Sequence, residues 1–328
     1  SRTATGKSKT LKLARRQPLL QQVSSADDAA YYVFNVGQGE GFVMVSGDDR
    51  TPAILGYADS GSFASEQLPE HIQAWLDGYA DQLAYIERTG IAQAPRLATE
   101  WEAVEPLLSS HWDQDSPYND ACPIDTETKE RSVTGCAATA MAQVLYYHKY
   151  PEQTLTTIPS YTTGTLKMAM SAIPPTTIEW DLMRDSYGGT MADSQKAAVA
   201  MLMRLCGQSL KMDYRSESSS AMSIDMVNAL QTYFGYDKST QLLQRDHFDA
   251  SQWEAIIYGE VAAGRPVLYG GQSSGSGHEF VVDGYDGNGL FHVNWGRGGM
   301  SDGYFLLSVL NPNNTTGIGA SDTYDGYS

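Results

Sequence analysis

The stretch Thr134-Gly135-Cys136-Ala137-Ala138-Thr139-Ala140-Met141-Ala142-Gln143 places a thiol just after a glycine and just inside a run of helix formers. A glycine lets the backbone turn sharply into a helix, and the partial positive charge at a helix N-terminus favours thiolate over thiol. Small residues at 137, 138 and 140 leave room for neighbouring backbone or for a substrate. A buried cysteine opening an alanine-rich core helix would give the same pattern. A cysteine nucleophile needs a base, usually a histidine brought near by the fold. Of the six histidines, His111, His148, His247 and His292 sit among aromatic or charged neighbours, as fillers of a core or surface do. His278 is different. In Ser276-Gly277-His278-Glu279-Phe280-Val281-Val282-Asp283-Gly284 it stands where a glycine-rich loop enters an apolar, strand-like run. A flexible approach and a rigid exit suit an imidazole at a cleft edge. A dozen residues on, His292-Val293-Asn294-Trp295-Gly296 offers an Asn to orient that ring or a Trp to shield it.

Elements must bring residues 136 and 278 together. Ala30–Val36 and Gly41–Ser46, separated by Gly37-Gln38-Gly39-Glu40, read as a hairpin, with Ala53–Tyr57 as a further strand. From Pro69, apolar residues Ile72, Trp75, Leu76, Tyr79, Leu83 and Ile86 recur on one helical face, and Gly90 ends the run. Residues 91–105 lack periodicity and read as a linker. Gly135–Tyr150 is helical and stops at Pro151. Segments 194–206, 222–234 and 249–263 have helical periodicity as well. Short strands follow at 266–269, 279–282, 290–295 and 303–309. Helices first and strands later, with no β-α-β alternation, predict an α+β fold with an antiparallel sheet. The chain therefore divides into a small α+β domain at 1–100 and a larger one at 101–328.

Composition narrows the function. The formal net charge of −17 disfavours nucleic acid or an anionic membrane as partner. No apolar run is long enough to span a bilayer. No signal-peptide core opens the sequence, so the protein is expected to be cytosolic, or secreted with its leader absent from this sequence. Three cysteines, Cys122, Cys136 and Cys206, are too few and too far apart for a disulfide framework, and no CxxC metal pattern occurs. No cofactor or metal is expected. Cys206 reads as buried filler, and Cys122, before Pro123, as near the surface. The basic residues Lys7, Lys9, Lys12, Arg15 and Arg16 read as a solvated tail or as a head docked on the acidic body.

Three blocks resemble the streptopain family of papain-like cysteine proteases, which includes interpain: His111–Asn119, Gly135–Gln143 with Tyr147-His148-Lys149-Tyr150-Pro151, and Gly277–Gly299. Met212-Asp213-Tyr214 and Ser301–Phe305 extend the likeness over nearly all of 101–312, and Tyr31–Tyr57 is similar to the family's propeptide. The resemblance implies a papain-like fold of two subdomains, one helical and one an antiparallel sheet, behind an inhibitory pro-domain. It implies a secreted endopeptidase zymogen that cleaves protein and peptide substrates through a thioester, once the pro-domain is cut off somewhere in 97–104. By matching position, Cys136 resembles the nucleophile and His278 the base. Gln114 resembles the oxyanion-hole side chain, and Asn294 and Trp295 the pair behind the imidazole. Ser220, Gly277 and Gly135 resemble substrate-lining positions. An apolar pocket for the side chain two positions before the cut is also implied.

Two residues depart from the family pattern. Glu279 follows the histidine where alanine is usual, and Arg297 stands where a second tryptophan is usual. They are expected either to form an ion pair at the cleft wall or to point separately to solvent. A catalytically impaired binding protein on the same fold, and a cell-wall peptide amidase or transamidase, are the alternative functions.

Overall fold

In the computed structural model, residues 9–18, 29–63, 68, 70–90, 100–272 and 277–307 are described. Strands from both ends of the sequence form a single eight-stranded antiparallel sheet. The N-terminal region supplies β1 (Leu11–Pro18), β2 (Ala29–Val36), β3 (Phe42–Ser46) and β4 (Ile54–Ala58). It also supplies helix α1 (Glu70–Thr89). The C-terminal region supplies β7 (Val267–Gln272), β8 (Gly277–Tyr285), β9 (Phe291–Asn294) and β10 (Gly303–Phe305), and the strand order is β1-β2-β3-β4-β10-β9-β8-β7. The seam between the two regions is the pairing of β4 with β10, where Tyr57 faces Tyr304 and Gly56 faces Phe305. A side chain at Gly56 would meet the Phe305 ring at 2.6 Å, so glycine is what lets these strands close.

The strand β1 is a correction to the sequence reading. Its side chains are mostly exposed, so it carries no apolar alternation, and only backbone pairing with β2 makes it a strand. Of the basic cluster, Lys7 lies outside the described residues, and two members are held within the N-terminal region itself. Arg15 donates to Gln73 of α1 at 2.9 Å, and Lys9, just before the strand, pairs with Glu40 at 3.0 Å. The α1 face predicted from periodicity is the buried one: Ile72, Trp75, Leu76, Tyr79, Leu83 and Ile86 are all at most 1 % exposed. All but Ile86 pack into one core with Tyr269, Phe280, Trp295 and Phe305 of the C-terminal strands and loops. The predicted linker is ordered by its end: Val104 makes a two-way backbone bridge with Tyr285, and Trp101 stacks on Tyr258 at 4.5 Å. Residues 91–99, which include the first three positions of the expected cleavage region, lie outside the described residues.

Between these regions lies the helical part, with α2 (Cys136–His148), α3 (Asp193–Ser209), α4 (Ser223–Tyr233) and α5 (Ala250–Ala262). It also holds a two-stranded ribbon, β5 (Tyr161–Thr162) with β6 (Ala169–Met170). On α2, Ala138, Met141 and Leu145 join a core with Val199, Leu202, Met203 and Met212. Ala140 and Val144 turn the other way, onto Leu108 and Val281 of β8. Two apolar faces on one helix place it between the subdomains, with its N-terminus at their junction. The α+β, two-subdomain architecture is as the sequence predicts. Cys122 is buried in the helical core at 2 % exposure, not near the surface, and all three cysteines are free. Among the described residues, no helix is long and apolar enough to cross a membrane, and no group of three or more His, Cys, Asp or Glu could hold a metal ion.

Candidate active site

Helix α2 begins at Cys136 because the residue before it can do what no other residue type can. Gly135 has φ 85°, and a Cβ there would meet the Met212 thioether and the Ser219 carbonyl oxygen at 2.8 Å. The chain entering it is tied on both sides. Thr134 N–H donates to the Gln114 carbonyl at 3.1 Å, and Val133 N–H to the Arg215 carbonyl at 3.1 Å. Inside the first turn, the Thr134 and Thr139 hydroxyls hydrogen-bond each other at 2.8 Å. Gln114 is only 4 % exposed and thus held beside the helix start through its backbone. Its side-chain amide makes no hydrogen bond among the described residues, leaving it free to serve something else.

The strand side meets the helix at the sulfur. Glu279 N–H on β8 points at Cys136 Sγ, 3.4 Å away. One residue earlier on that strand is His278, whose Cα is therefore within about 6 Å of the sulfur by backbone dimensions. Residues 142 positions apart in sequence are in one site. Gly277 opens the same strand, paired with Gln272.

Burial sets the ionisation of both groups. The Cys136 thiol is pushed up to about 11, chiefly by desolvation and secondarily by the Glu279 charge, against the opposing pull of the Glu279 and Ala137 N–H groups. Desolvation, with the Arg297 charge beside it, pushes the His278 imidazole down to about 3. This form of the protein holds a thiol and a neutral ring. His278 Nε2 lies 3.3 Å from the Trp295 carbonyl oxygen. A carbonyl only accepts, so this contact assigns the proton to Nε2 and the lone pair to Nδ1.

The two residues expected behind the imidazole each make contacts that tie the site together. Asn294 donates to the Ser110 carbonyl at 2.8 Å and accepts from Gln143 Nε2 at 3.1 Å and Gly296 N–H at 3.0 Å. Its amide ties the N-terminal segment, α2 and the 296 turn together, so it fixes the site's frame. Trp295 is fully buried, with ring neighbours Phe280 at 4.8 Å and Trp75 and Phe305 at 5.6 Å. Its backbone, not its ring, supplies the described hydrogen-bonding contact to His278, and Asp302 Oδ1 anchors that backbone by accepting the Trp295 N–H at 2.9 Å. Ser220 is exposed on the 219–223 segment, bridged to Asp213 by two backbone bonds. That segment starts against Gly135, where a Cβ would meet the Ser219 carbonyl oxygen, and ends at α4.

Glu279 and Arg297 do neither thing the sequence suggested. Glu279 is buried at 9 % exposure, its Oε1 accepts from the Ser223 hydroxyl, and no ion pair joins it to Arg297. The carboxyl lies across Gly270 on the neighbouring strand, where a Cβ would meet it at 2.5 Å. Arg297 stands close enough to both Cys136 and His278 to lower both pKa values. Ser223 and the aromatic contacts of Trp75 are the site features that sequence reasoning missed, because neither belongs to a local motif. Only the periodicity of α1 flagged Trp75 as buried.

Residues 112–305 match the peptidase C10 family, and residues 3–83 match the Spi protease inhibitor family. Streptopain of Streptococcus pyogenes is 37% identical over 314 residues, covering 90% of this chain and 78% of that protein. A thiol protease/hemagglutinin of Porphyromonas gingivalis, PrtT, is 33% identical over 333 residues, 95% of this chain and 37% of its own length. A solved fragment of Prevotella intermedia prointerpain A, a cysteine-to-alanine mutant, superposes with a TM-score of 0.79 at 31% identity and covers 96% of both chains. Active wild-type interpain A superposes with a TM-score of 0.59 at 38% identity, covering 65% of this chain and 89% of its own. The fuller match is to the pro-form, whose coverage extends over the N-terminal region as well. The chain thus belongs to the peptidase C10 family of cysteine peptidases, in zymogen form, with an inhibitor-type domain at its N-terminus.

Proposed function

We propose that Cys136 is the nucleophile of this cysteine endopeptidase and His278 its base. The observation that supports this most directly is the contact between the Cys136 sulfur and the backbone N–H next to His278. In the working state the imidazole turns from the Trp295 carbonyl toward the sulfur and takes its proton through Nδ1, the nitrogen that holds the lone pair. The thiolate attacks the substrate carbonyl carbon, and the negative charge moves to oxygen. Cys136 N–H at the helix start and the unengaged Gln114 amide receive that oxyanion, each donor contributing about 3 kcal/mol to the barrier reduction. The imidazolium then protonates the departing amine, leaving a thioester. Water, deprotonated by the same ring, hydrolyses it and frees the thiol. Asn294 and Trp295 position the histidine. Gly135, Ser220 and Gly277 line the path of the substrate.

Residues 1–100 are the inhibitory domain and 101–328 the peptidase. Inhibition works through Trp75, whose ring meets Phe280 and Trp295 edge-on at 5.6 Å, while Phe280 stacks beside His278 at 6.1 Å. Removing α1 takes the support from that aromatic stack and hydrates the site. With the dielectric raised, the thiol falls, the imidazole rises, and the thiolate–imidazolium pair becomes accessible. The likeness to streptopain supports a secreted enzyme acting on protein substrates. The test is incubation of the purified chain with reductant at neutral pH: a fragment beginning near residue 100 should appear together with hydrolysis of casein. A Cys136→Ala chain should remain whole and inactive. Processing or hydrolysis by that variant would remove Cys136 from the mechanism.

A further inference from the structure

Glu279 is the unexplained charge in this site. Its residue surface is 9 % exposed, and its described hydrogen bond is to one hydroxyl, Ser223 Oγ on Oε1. No cation pairs with it among the described residues. A buried carboxyl is normally neutralised by an arginine, a lysine or a metal, because removing it from water unpaired is costly. Here Arg297 makes no ion pair with it, its own Nε being buried without a hydrogen-bond partner, and burial, partly offset by the Ser223 hydrogen bond, raises the carboxyl to about 7. The site also makes room for it. Gly270 beneath the carboxyl has no side chain, and any Cβ there would strike the carboxyl at 2.5 Å.

The location says what would complete it. Glu279 N–H touches the nucleophilic sulfur at 3.4 Å, and a glutamate side chain reaches about 5 Å from its own nitrogen, so the carboxyl lies within about 8 Å of Cys136 Sγ. An extended substrate advances about 3.3 Å per residue, which puts that carboxyl within reach of side chains up to two positions from the scissile bond. Beside it, Met222 and Ile224 are 68% and 58% exposed and flank Ser223. Exposed apolar residues on either side of the carboxyl's hydroxyl partner suit a long side chain with a methylene stem and a cationic head.

We propose that Glu279 is a specificity-determining residue that pairs with a lysine or arginine of the substrate within two positions of the cleaved bond. The substrate position that meets Glu279 is then selective for cations, where the resemblance implies an apolar pocket. This rests on Cys136 being the nucleophile. Arginine or lysine at that position gains an ion pair with a carboxylate already desolvated, whereas leucine leaves the carboxylate buried beside an apolar group.

Mature enzyme, freed of its N-terminal domain, should be assayed on peptide pairs that differ only in arginine or leucine at each of the two positions on either side of the cut. At one position, kcat/KM for arginine should exceed that for leucine by about tenfold or more, and Glu279→Gln should bring the ratio to about one or below it. An unchanged ratio in Glu279→Gln, or no position favouring arginine in the wild type, overturns the proposal. Should Glu279→Gln fail to fold, mapping wild-type cleavage sites in a denatured protein mixture decides the matter. Enrichment of lysine and arginine at one of the four positions supports it, and its absence overturns it. Total loss of cleavage in Cys136→Ala is a separate readout that tests the nucleophile and not the pocket.

Discussion

The two walls of the cleft are built on different foundations. On the helix wall, Cys136 is fixed by Gly135, by Thr134 on Gln114 and by a core in which no described residue precedes Trp112. On the strand wall, His278 lies against Phe280 and Trp295, which share their core with Trp75, Leu76 and Tyr79 of the N-terminal domain. The frame around Cys136 is thus built from residues after the N-terminal region, whereas the surroundings of His278 are shared with it. Latency needs only one wall to be conditional.

The largest effect that tests this contrast is loss of the proposed nucleophile, Cys136. Cys136→Ala should lower hydrolysis by on the order of 10⁴-fold or more while thermal unfolding of the intact chain barely moves, since the helix wall keeps its frame. Trp75→Ala should do the reverse. It empties a fully buried site and should cost about 3–5 kcal/mol of zymogen stability, read as a lower denaturation midpoint. At the same time, uncut chain should gain measurable peptidase activity. If the variant is destabilised but equally latent, the strand wall does not carry the inhibition. Gly135→Ala, forced into φ 85° and against Met212 and Ser219, should cost about 1–3 kcal/mol and slow the mature enzyme as much as the zymogen's alkylation, a change confined to the helix wall.

Two pH effects are smaller. With the thiol at about 11 in the intact chain, iodoacetamide alkylation of Cys136 should rise about tenfold per pH unit from 7 to 10. After maturation the curve should flatten at neutral pH, and an unshifted curve would contradict the conditional wall. The Glu279 carboxyl is raised by burial from about 4.5 to about 7, so the folded state favours its protonated form. Its contribution to stability is complete below pH 4.5 and declines as pH rises through 7. In Glu279→Gln, the difference in denaturation midpoint between pH 5 and pH 8 should shrink.

The sequence was most legible where local chemistry and position coincide. The α1 face was readable because its partners impose one helical stripe, and Gly135-Cys136 because a left-handed glycine at a helix start is itself a local signal. The Asn294 and Trp295 positions were readable, but their contacts were not. Asn294 turned out to brace Ser110, Gln143 and Gly296, and the Trp295 carbonyl, which no residue-type argument can foresee, meets His278. The strand β1 escaped because an exposed edge strand has no pattern to bury. The fate of Glu279 escaped because it depends on Ser223 and Gly270, 56 and 9 residues away and joined to it only by the fold.

If the proposed cut near residue 100 activates the enzyme, the seam at β4 and β10 gives activation a second stage. Cutting the connection near residue 100 severs the chain but leaves the ladder between Tyr57 and Tyr304, and the stacking of those two rings at 5.2 Å, untouched. The excised piece would remain seated as a non-covalent subunit until it dissociates, so the onset of activity should become slower as protein concentration rises. Once it leaves, β10 has an open flank of backbone donors and acceptors, and the released piece, or any extended peptide able to pair there, competes for the same edge.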